Sequence, residues 1–419
     1  MKKGYLSTYF SGVAIKKLSQ VEVEPLTSHQ HEFNGVNGLK KILGSENLID
    51  IPAKYIYLNE DEPVEDESTV TWYEARGDYY PKNAPVEQRR FRSEFRLYFK
   101  DTTATMNAAA GDTLIVAKRT DKKEGISLII IIAQAETTIA NQVAWLFGFG
   151  NEDYSKFSIK EDLEADKNRL TFTSKLILEK IGIALEDEDD SYLDEMCRRF
   201  GEKFPTTTEF SAFARSKTPD ISLWDDPDDA LTLWMDMEEI LFRTFERYLL
   251  QKKIRTCIQN QDDFDLDRMR SFFMSSMQSG KSRAGKALEN HVEFIFKQRN
   301  IAYTRNPVTE NNNKPDFIFP GIEAYRDPSF PASSLSMLGL KTSSKDRWRQ
   351  MLSEANRIVE KHFLTLEPSI SIAQTNDMQL HHMNLVTPIS LHQTYKPEQQ
   401  DWLMSFQDFI NLLESKKRE

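Results

Sequence analysis

The sequence predicts a multidomain chain, with a mainly-β N-terminal half joined to an α/β C-terminal half that opens with helices. Its 419 residues suit two or three domains. Up to about residue 182, short apolar runs are separated by polar turns, as in strands; beyond about residue 196, apolar residues recur at helical spacing. Between them lies Leu185-Glu186-Asp187-Glu188-Asp189-Asp190-Ser191, an acidic stretch that reads as a solvated linker. The expected division is therefore 1–182, 183–195 and 196–419.

In the first part Tyr55-Ile56-Tyr57-Leu58, Val70-Thr71-Trp72-Tyr73 and Ser127 to Gln134 are clear strands, and together they suggest a barrel or sandwich. The longest apolar run, Leu128 to Ala133, is β-branched and far short of the ~18 residues of a membrane span. Met1-Lys2-Lys3-Gly4-Tyr5 has no apolar signal-peptide core. Cys197 and Cys257 are too few and too separated for a disulfide framework or a zinc site. A cytoplasmic protein with no membrane partner is expected. His29 and His31 lack a third ligand nearby and read as part of a hydrogen-bonding loop with Gln30. In Arg89-Arg90-Phe91-Arg92-Ser93-Glu94-Phe95-Arg96, alternation puts Arg90, Arg92, Glu94 and Arg96 on one face and the two phenylalanines on the other. Such a ribbon suits the reading of base edges in a major groove; a solvated strand face is the alternative.

A net charge of −11 seems to argue against a polyanionic partner, but the charges are segregated. Acid collects at Glu186 to Asp190, Asp225 to Asp229 and Asp262 to Asp265. Base collects at Arg89 to Arg96 and at Lys341, Lys345, Arg347 and Arg349. Binding depends on the field of one surface, so the acidic total does not exclude nucleic acid.

From Phe204 to about Asn260 the pattern is helical, with Leu233, Met237, Ile240, Leu241 and Phe245 on one stripe. Gly280 to Lys286 satisfies a phosphate-loop pattern, but Ala287 stands where a magnesium-binding hydroxyl is required and no strand precedes it. The segment reads instead as the start of a helix from Ala287 carrying Glu289, His291 and Glu293, with His291 a packed or surface residue. Lys314-Pro315-Asp316-Phe317-Ile318-Phe319 places Asp316 where a loop enters a strand, and Ser336 to Lys341 reads as a second strand. An aspartate and a lysine on neighbouring strands suit magnesium-assisted phosphodiester hydrolysis, one holding a hard cation and the other steadying water or developing charge. The usual second acid, two residues before the lysine, is missing, because that position is Gly339.

Glu354 can replace it from the helix that follows. Trp348, Leu352, Ala355 and Val359 mark the buried stripe expected there, and Glu354 shares another face with Arg347, Met351 and Ile358. Spacing alone leaves open that Glu354 is a surface ion-pairing residue. Ser369 to Ala373 reads as a further strand, His381, His382 and His392 as surface residues, and Trp402 to Leu413 as a closing amphipathic helix.

Lys281 to Glu289, Lys314 to Phe317 and Lys341 to Gln350 together resemble the EcoRII-type restriction endonucleases. These belong to the branch of the PD-(D/E)xK nucleases whose second acid has moved to a helix. The resemblance implies a restriction-endonuclease-like α/β domain using Mg²⁺, with Asp316 and Glu354 on the metal, Lys341 on the water and Glu289 in support. It implies that Lys345, Asp346 and Arg347 read the CC and GG ends of a short site in double-stranded DNA. It further implies an N-terminal B3-like pseudobarrel that binds a second copy of the site as effector. Lys16 to Ser19, His29, Gln30, Lys82, Arg89, Arg90 and Arg92 fall where that domain's DNA-contacting segments would lie. A homodimer, and a cognate DNA methyltransferase acting on the same site, are the expected partners. The rivals are a DNA-binding regulator with an inactive nuclease domain and a structure-specific repair nuclease.

Overall fold

The computed structural model describes residues 5–24, 31–34, 36–75, 94–120, 125–150, 154–163, 170–183, 192–259, 266–342 and 347–417. The chain divides into two compact units. One comprises residues 1–184 with 369–371, the other 185–368 with 372–419.

The first unit is built on one eight-stranded sheet of order β2-β5-β4-β3-β7-β6-β1-β8. Its strands are β1 (Phe10–Lys17), β2 (Glu32–Phe33), β3 (Leu48–Leu58), β4 (Val64–Glu74), β5 (Phe95–Phe99), β6 (Thr113–Arg119), β7 (Leu128–Ala133) and β8 (Ser158–Lys160). β3 and β7 run parallel and the other pairs are antiparallel. All six residues of β7 are buried, as a strand covered on both faces requires. The sheet curls. Phe33 of β2 and Ile159 of β8 come from its opposite ends yet pack on one apolar cluster with Trp72, Phe95 and Phe99. The curl brings Gly38 against β8, where an added Cβ would lie 3.0 Å from Ile159 Cγ1. A single curled sheet thus stands where the sequence left a choice between barrel and sandwich. Two helices follow, α1 (Thr138–Leu146) and α2 (Phe172–Lys180), each capped by a threonine side chain accepting from a first-turn N–H.

The second unit opens with α3 (Leu193–Phe200), α4 (Thr207–Arg215), α5 (Pro227–Gln259) and α6 (Leu266–Gln298). Thr206 and Glu209 close a capping box at the start of α4. A five-stranded sheet, order β13-β12-β11-β10-β9, packs beside them. Its strands are β9 (Thr304–Arg305), β10 (Phe317–Phe319), β11 (Ser336–Lys341), β12 (Lys361–Thr365) and β13 (Met383–Val386). The first three pair antiparallel and the last three parallel. Ala287, Leu288, Val292, Ile295 and Phe296 form the buried stripe of α6. The Phe296 ring meets Phe317 at 5.4 Å and Phe319 at 5.2 Å, edge-on to each. The unit is completed by α7 (Arg347–Met351), α8 (Ile372–Leu380) and α9 (Phe406–Lys416).

Four local expectations are corrected. The Gly280 to Ala287 segment neither forms a loop nor starts a helix; it lies inside α6, which begins at Leu266. Ser369 to Ala373 is not a strand, for the strand is Lys361–Thr365 and a helix starts at Ile372. The helix after Lys341 stops at Met351, and the chain buries Trp348, Met351, Ala355 and Ile358, leaving Val359 70% exposed. The last helix starts at Phe406, where Ser405 and Asp408 provide the capping box that fixes its first turn. No helix among the described residues is long and apolar enough to cross a membrane.

Candidate active site

Asp316 immediately precedes β10 and Lys341 ends β11, and the antiparallel pairing Phe317↔Leu338 brings the two residues side by side. The Leu340 N–H donates to Asp316 Oδ2 at 2.7 Å, and Lys341 Nζ lies 3.4 Å from the same oxygen. Asp316 is 9% exposed. Burial pushes its carboxyl above the ordinary aspartate range, against the pull of Lys341 and the Leu340 N–H, and Glu289 adds to the rise.

Glu354 joins this pair from beyond α7. Its N–H donates to Met351 O at 3.0 Å, and the chain then turns through Ala355 in a left-handed conformation, φ 49°. Burial and the neighbouring Asp316 push its carboxyl up to about 7, with Lys341 and Lys361 opposing. Glu354 is half-buried rather than freely solvated.

At the usual position of that acid, a Cβ on Gly339 would lie 2.7 Å from Met351 Cε and closer still to its Sδ, so the end of the Met351 side chain would have to shift to admit a larger residue.

Glu289 approaches from α6. Lys286 Nζ donates to its two oxygens at 2.9 and 3.0 Å, and Arg305 Nη2 donates at 2.7 Å. Burial alone would raise this carboxyl, but the two cations outweigh it and hold Glu289 below the usual glutamate range. Arg305 also binds Glu293 at 2.7 Å, so β9 is tied to α6 through one guanidinium. His291 is fully buried, its Nδ1 3.0 Å from Arg215 Nη1, and is a packed residue. The structure therefore gathers Asp316, Lys341, Glu354 and Glu289 around one place. It adds Arg305 and Lys361, which sequence reasoning missed. Lys361 had one visible signal, a charged residue opening an apolar strand; Arg305 had none.

The remaining expected residues are placed unevenly. Lys345 and Asp346 lie outside the described residues, and Arg347 opens α7. His29, Gln30, Lys82, Arg89, Arg90 and Arg92 also lie outside them. Arg96 is described, with its guanidinium on Glu32 and Glu94. Lys16 corrects an expectation. It is 3% exposed, its ammonium 2.6 Å from Glu22 Oε1 and donating to Asn34 O at 3.1 Å, so it faces the interior of its unit.

Among the described residues, no group of three or more His, Cys, Asp or Glu is placed to hold a metal ion. Asp316 is buried and Glu354 half-buried, and each carboxyl is raised in part by a neighbouring acid. A hard divalent cation relieves that repulsion, and magnesium commonly takes one or two carboxylates and completes its shell with water and phosphate oxygens. The donor set fits such an ion.

Residues 242–410 match the family model described as EcoRII C terminal. The type II restriction enzyme EcoRII of Escherichia coli is 37% identical over 209 residues, which is 50% of this chain and 50% of that protein. The chain thus spans about half the length of the curated relative it matches. Two solved structures are more distant. Metal-depleted Ecl18kI in complex with uncleaved, modified DNA aligns at TM-score 0.44 and 19% identity, over 54% of this chain and 84% of that one. The restriction endonuclease PspGI–substrate DNA complex aligns at TM-score 0.41 and 16% identity, over 51% and 94%. All of Asp316, Lys341, Glu354 and Glu289 fall within the matched residues 242–410.

Proposed function

We propose that this protein is a type II restriction endonuclease that hydrolyses double-stranded DNA with Mg²⁺. The observation that carries the reading is a buried Asp316 and a half-buried Glu354, whose carboxyls are raised partly by neighbouring acids, with the Lys341 ammonium 3.4 Å from Asp316. In this reading Asp316 and Glu354 hold the cation. When bound, it polarises the scissile phosphate and offsets charge on the leaving oxygen. Lys341, fixed against Asp316, orients the attacking water and steadies the charge that develops on the phosphoryl oxygens. Glu289, held by Lys286 and Arg305 and close enough to act on the charge of Asp316, would support the metal or Lys341. The Leu340 N–H holds the Asp316 carboxylate through its Oδ2.

Specificity is assigned to Lys345, Asp346 and Arg347, at and before the start of α7. Arg347 suits a bidentate contact to guanine and Asp346 suits acceptance from cytosine N4, each worth about 1–3 kcal/mol of discrimination. A site with CC at one end and GG at the other follows, and its two-fold symmetry favours a homodimer. The first unit, with its curled sheet, is proposed as a B3-like effector domain for a second copy of that site, using His29, Gln30, Lys82, Arg89, Arg90 and Arg92. A methyltransferase protecting the same site would be its functional partner.

The test is a plasmid of known sequence incubated with the full chain and Mg²⁺, beside Asp316→Ala. Discrete fragments that vanish in the variant support the assignment. Sequence-independent nicks would instead mean a repair nuclease, and a shifted but uncut band a binding protein.

A further inference from the structure

We propose that Lys361 is a positioning residue for Glu354, acting through the backbone turn that follows it. The consequence for catalysis rests on the nuclease reading above, whereas the geometry does not. Lys361 opens β12 and is 5% exposed. Its ammonium donates to Ala355 O at 3.3 Å and Ile358 O at 2.8 Å, the two carbonyls that bracket the turn. Burying an ammonium is costly, and an apolar side chain would satisfy the core at this strand position. Lys361 therefore does something that packing alone does not require.

What needs holding is plain from the backbone. Glu354 belongs to neither a helix nor a strand, and the next residue, Ala355, adopts a left-handed conformation that an alanine occupies only at a cost. The turn is tied on its other side as well. Asn313 Nδ2 donates to Ser353 O at 2.8 Å, and the Arg357 guanidinium donates to Asp327 O at 2.9 Å and Phe330 O at 2.8 Å. Only the Lys361 anchor comes from the sheet among these. β12 pairs in parallel with β11, with Leu338↔His362 and Lys341↔Thr365 in register. Through Lys361 the strand beside the one bearing Lys341 fixes the turn bearing Glu354, so both groups are referred to one sheet.

The experiment compares Lys361→Met, which removes the donors at similar length, with Lys361→Gln, which keeps an amide donor for the same carbonyls. Amide hydrogen exchange over residues 353–358 is measured on the full chain without metal or DNA, alongside single-turnover cleavage with Mg²⁺ and DNA affinity in EDTA. Lys361→Met is expected to exchange faster at 353–358 with β11 unchanged. It should cleave roughly 10- to 100-fold more slowly, the scale of a small misplacement of a reacting group, at unchanged DNA affinity. Lys361→Gln should recover part of both losses. Unchanged exchange in Lys361→Met, or equal defects in the two variants, would overturn the proposal. If Lys361→Met does not fold, Lys361→Gln against wild type decides. Near-wild-type exchange and rate in that variant support the donor role, and a loss of rate of roughly 10-fold or more with faster exchange at 353–358 overturns it. A wild-type chain that cuts no DNA would sink the nuclease reading instead, and would leave the exchange result standing.

Discussion

Glu354 is the residue whose state should govern the protein's response to pH. Its carboxyl is raised from the ordinary 4.5 to about 7 in the folded, metal-free chain, first by burial and then by Asp316. The folded state therefore holds a proton that the unfolded state releases earlier. Stability is fully present below about pH 4.5 and is lost as pH rises through about 7. A bound cation competes with that proton. Melting temperature in EDTA should fall between pH 5 and pH 7.5, Mg²⁺ should raise it more at pH 8 than at pH 6, and Glu354→Gln should flatten the EDTA slope in this window. An identical slope in the variant would show that Glu354 does not titrate there. Lys341→Ala makes a second expectation. It should cut at least about 100-fold more slowly than wild type while binding DNA in EDTA, because its charge stabilises developing charge. Unimpaired turnover would remove Lys341 from the chemistry. Asp316 and Lys341 could be singled out from the sequence because a loop entering one strand and the end of another are visible locally, whereas spacing left Glu354 open and only the family resemblance singled it out. Arg305 could not, since a two-residue strand leaves no periodic trace and only folding brings it to Glu289.

At the scale of elements, β11 and α7 meet at Gly339. Met351 is 2% exposed and its thioether fills the space a side chain at 339 would take. Gly339→Ala should destabilise the chain by about 1–3 kcal/mol through overpacking. Met351→Ala should do so by about 2–5 kcal/mol through a cavity. The double variant should cost less than the sum, because the new methyl occupies part of the space vacated. Strict additivity in a denaturant-unfolding cycle would mean that the helix does not rest on the glycine. At Gly339 the missing acid is legible in the sequence, but the packing of Met351 against it is not, because that is a tertiary contact. The helix reading failed nearby for a related reason. Trp348, Leu352, Ala355 and Val359 fit a helical stripe by spacing, but the left-handed turn at Ala355 redirects the chain and exposes Val359. Phosphate-loop spacing at Gly280 likewise proved to be the interior of a 33-residue helix.

For the whole molecule, the two units carry separate sheets, eight strands in one and five in the other. The second contains Asp316, Lys341, Glu354, Glu289 and the strands and helices that position them, so residues 185–419 should hold the full catalytic set. Residues 369–371 group with the first unit. A loop of that size costs little if truncation loosens it, since the sheet residues Phe363, Leu364, Leu385 and Val386 are buried within the second unit. The truncated chain is expected to melt cooperatively and to cleave DNA with Mg²⁺. If the first unit restrains the second until it binds another copy of the site, truncation should also raise cutting of DNA bearing one site relative to the full chain. Assays on matched one-site and two-site plasmids separate the cases. Equal rates for the full and truncated chains on the one-site plasmid, or loss of cutting in a folded truncation, would count against restraint. A two-site preference that disappears with the first unit would tie the effector role to its curled sheet.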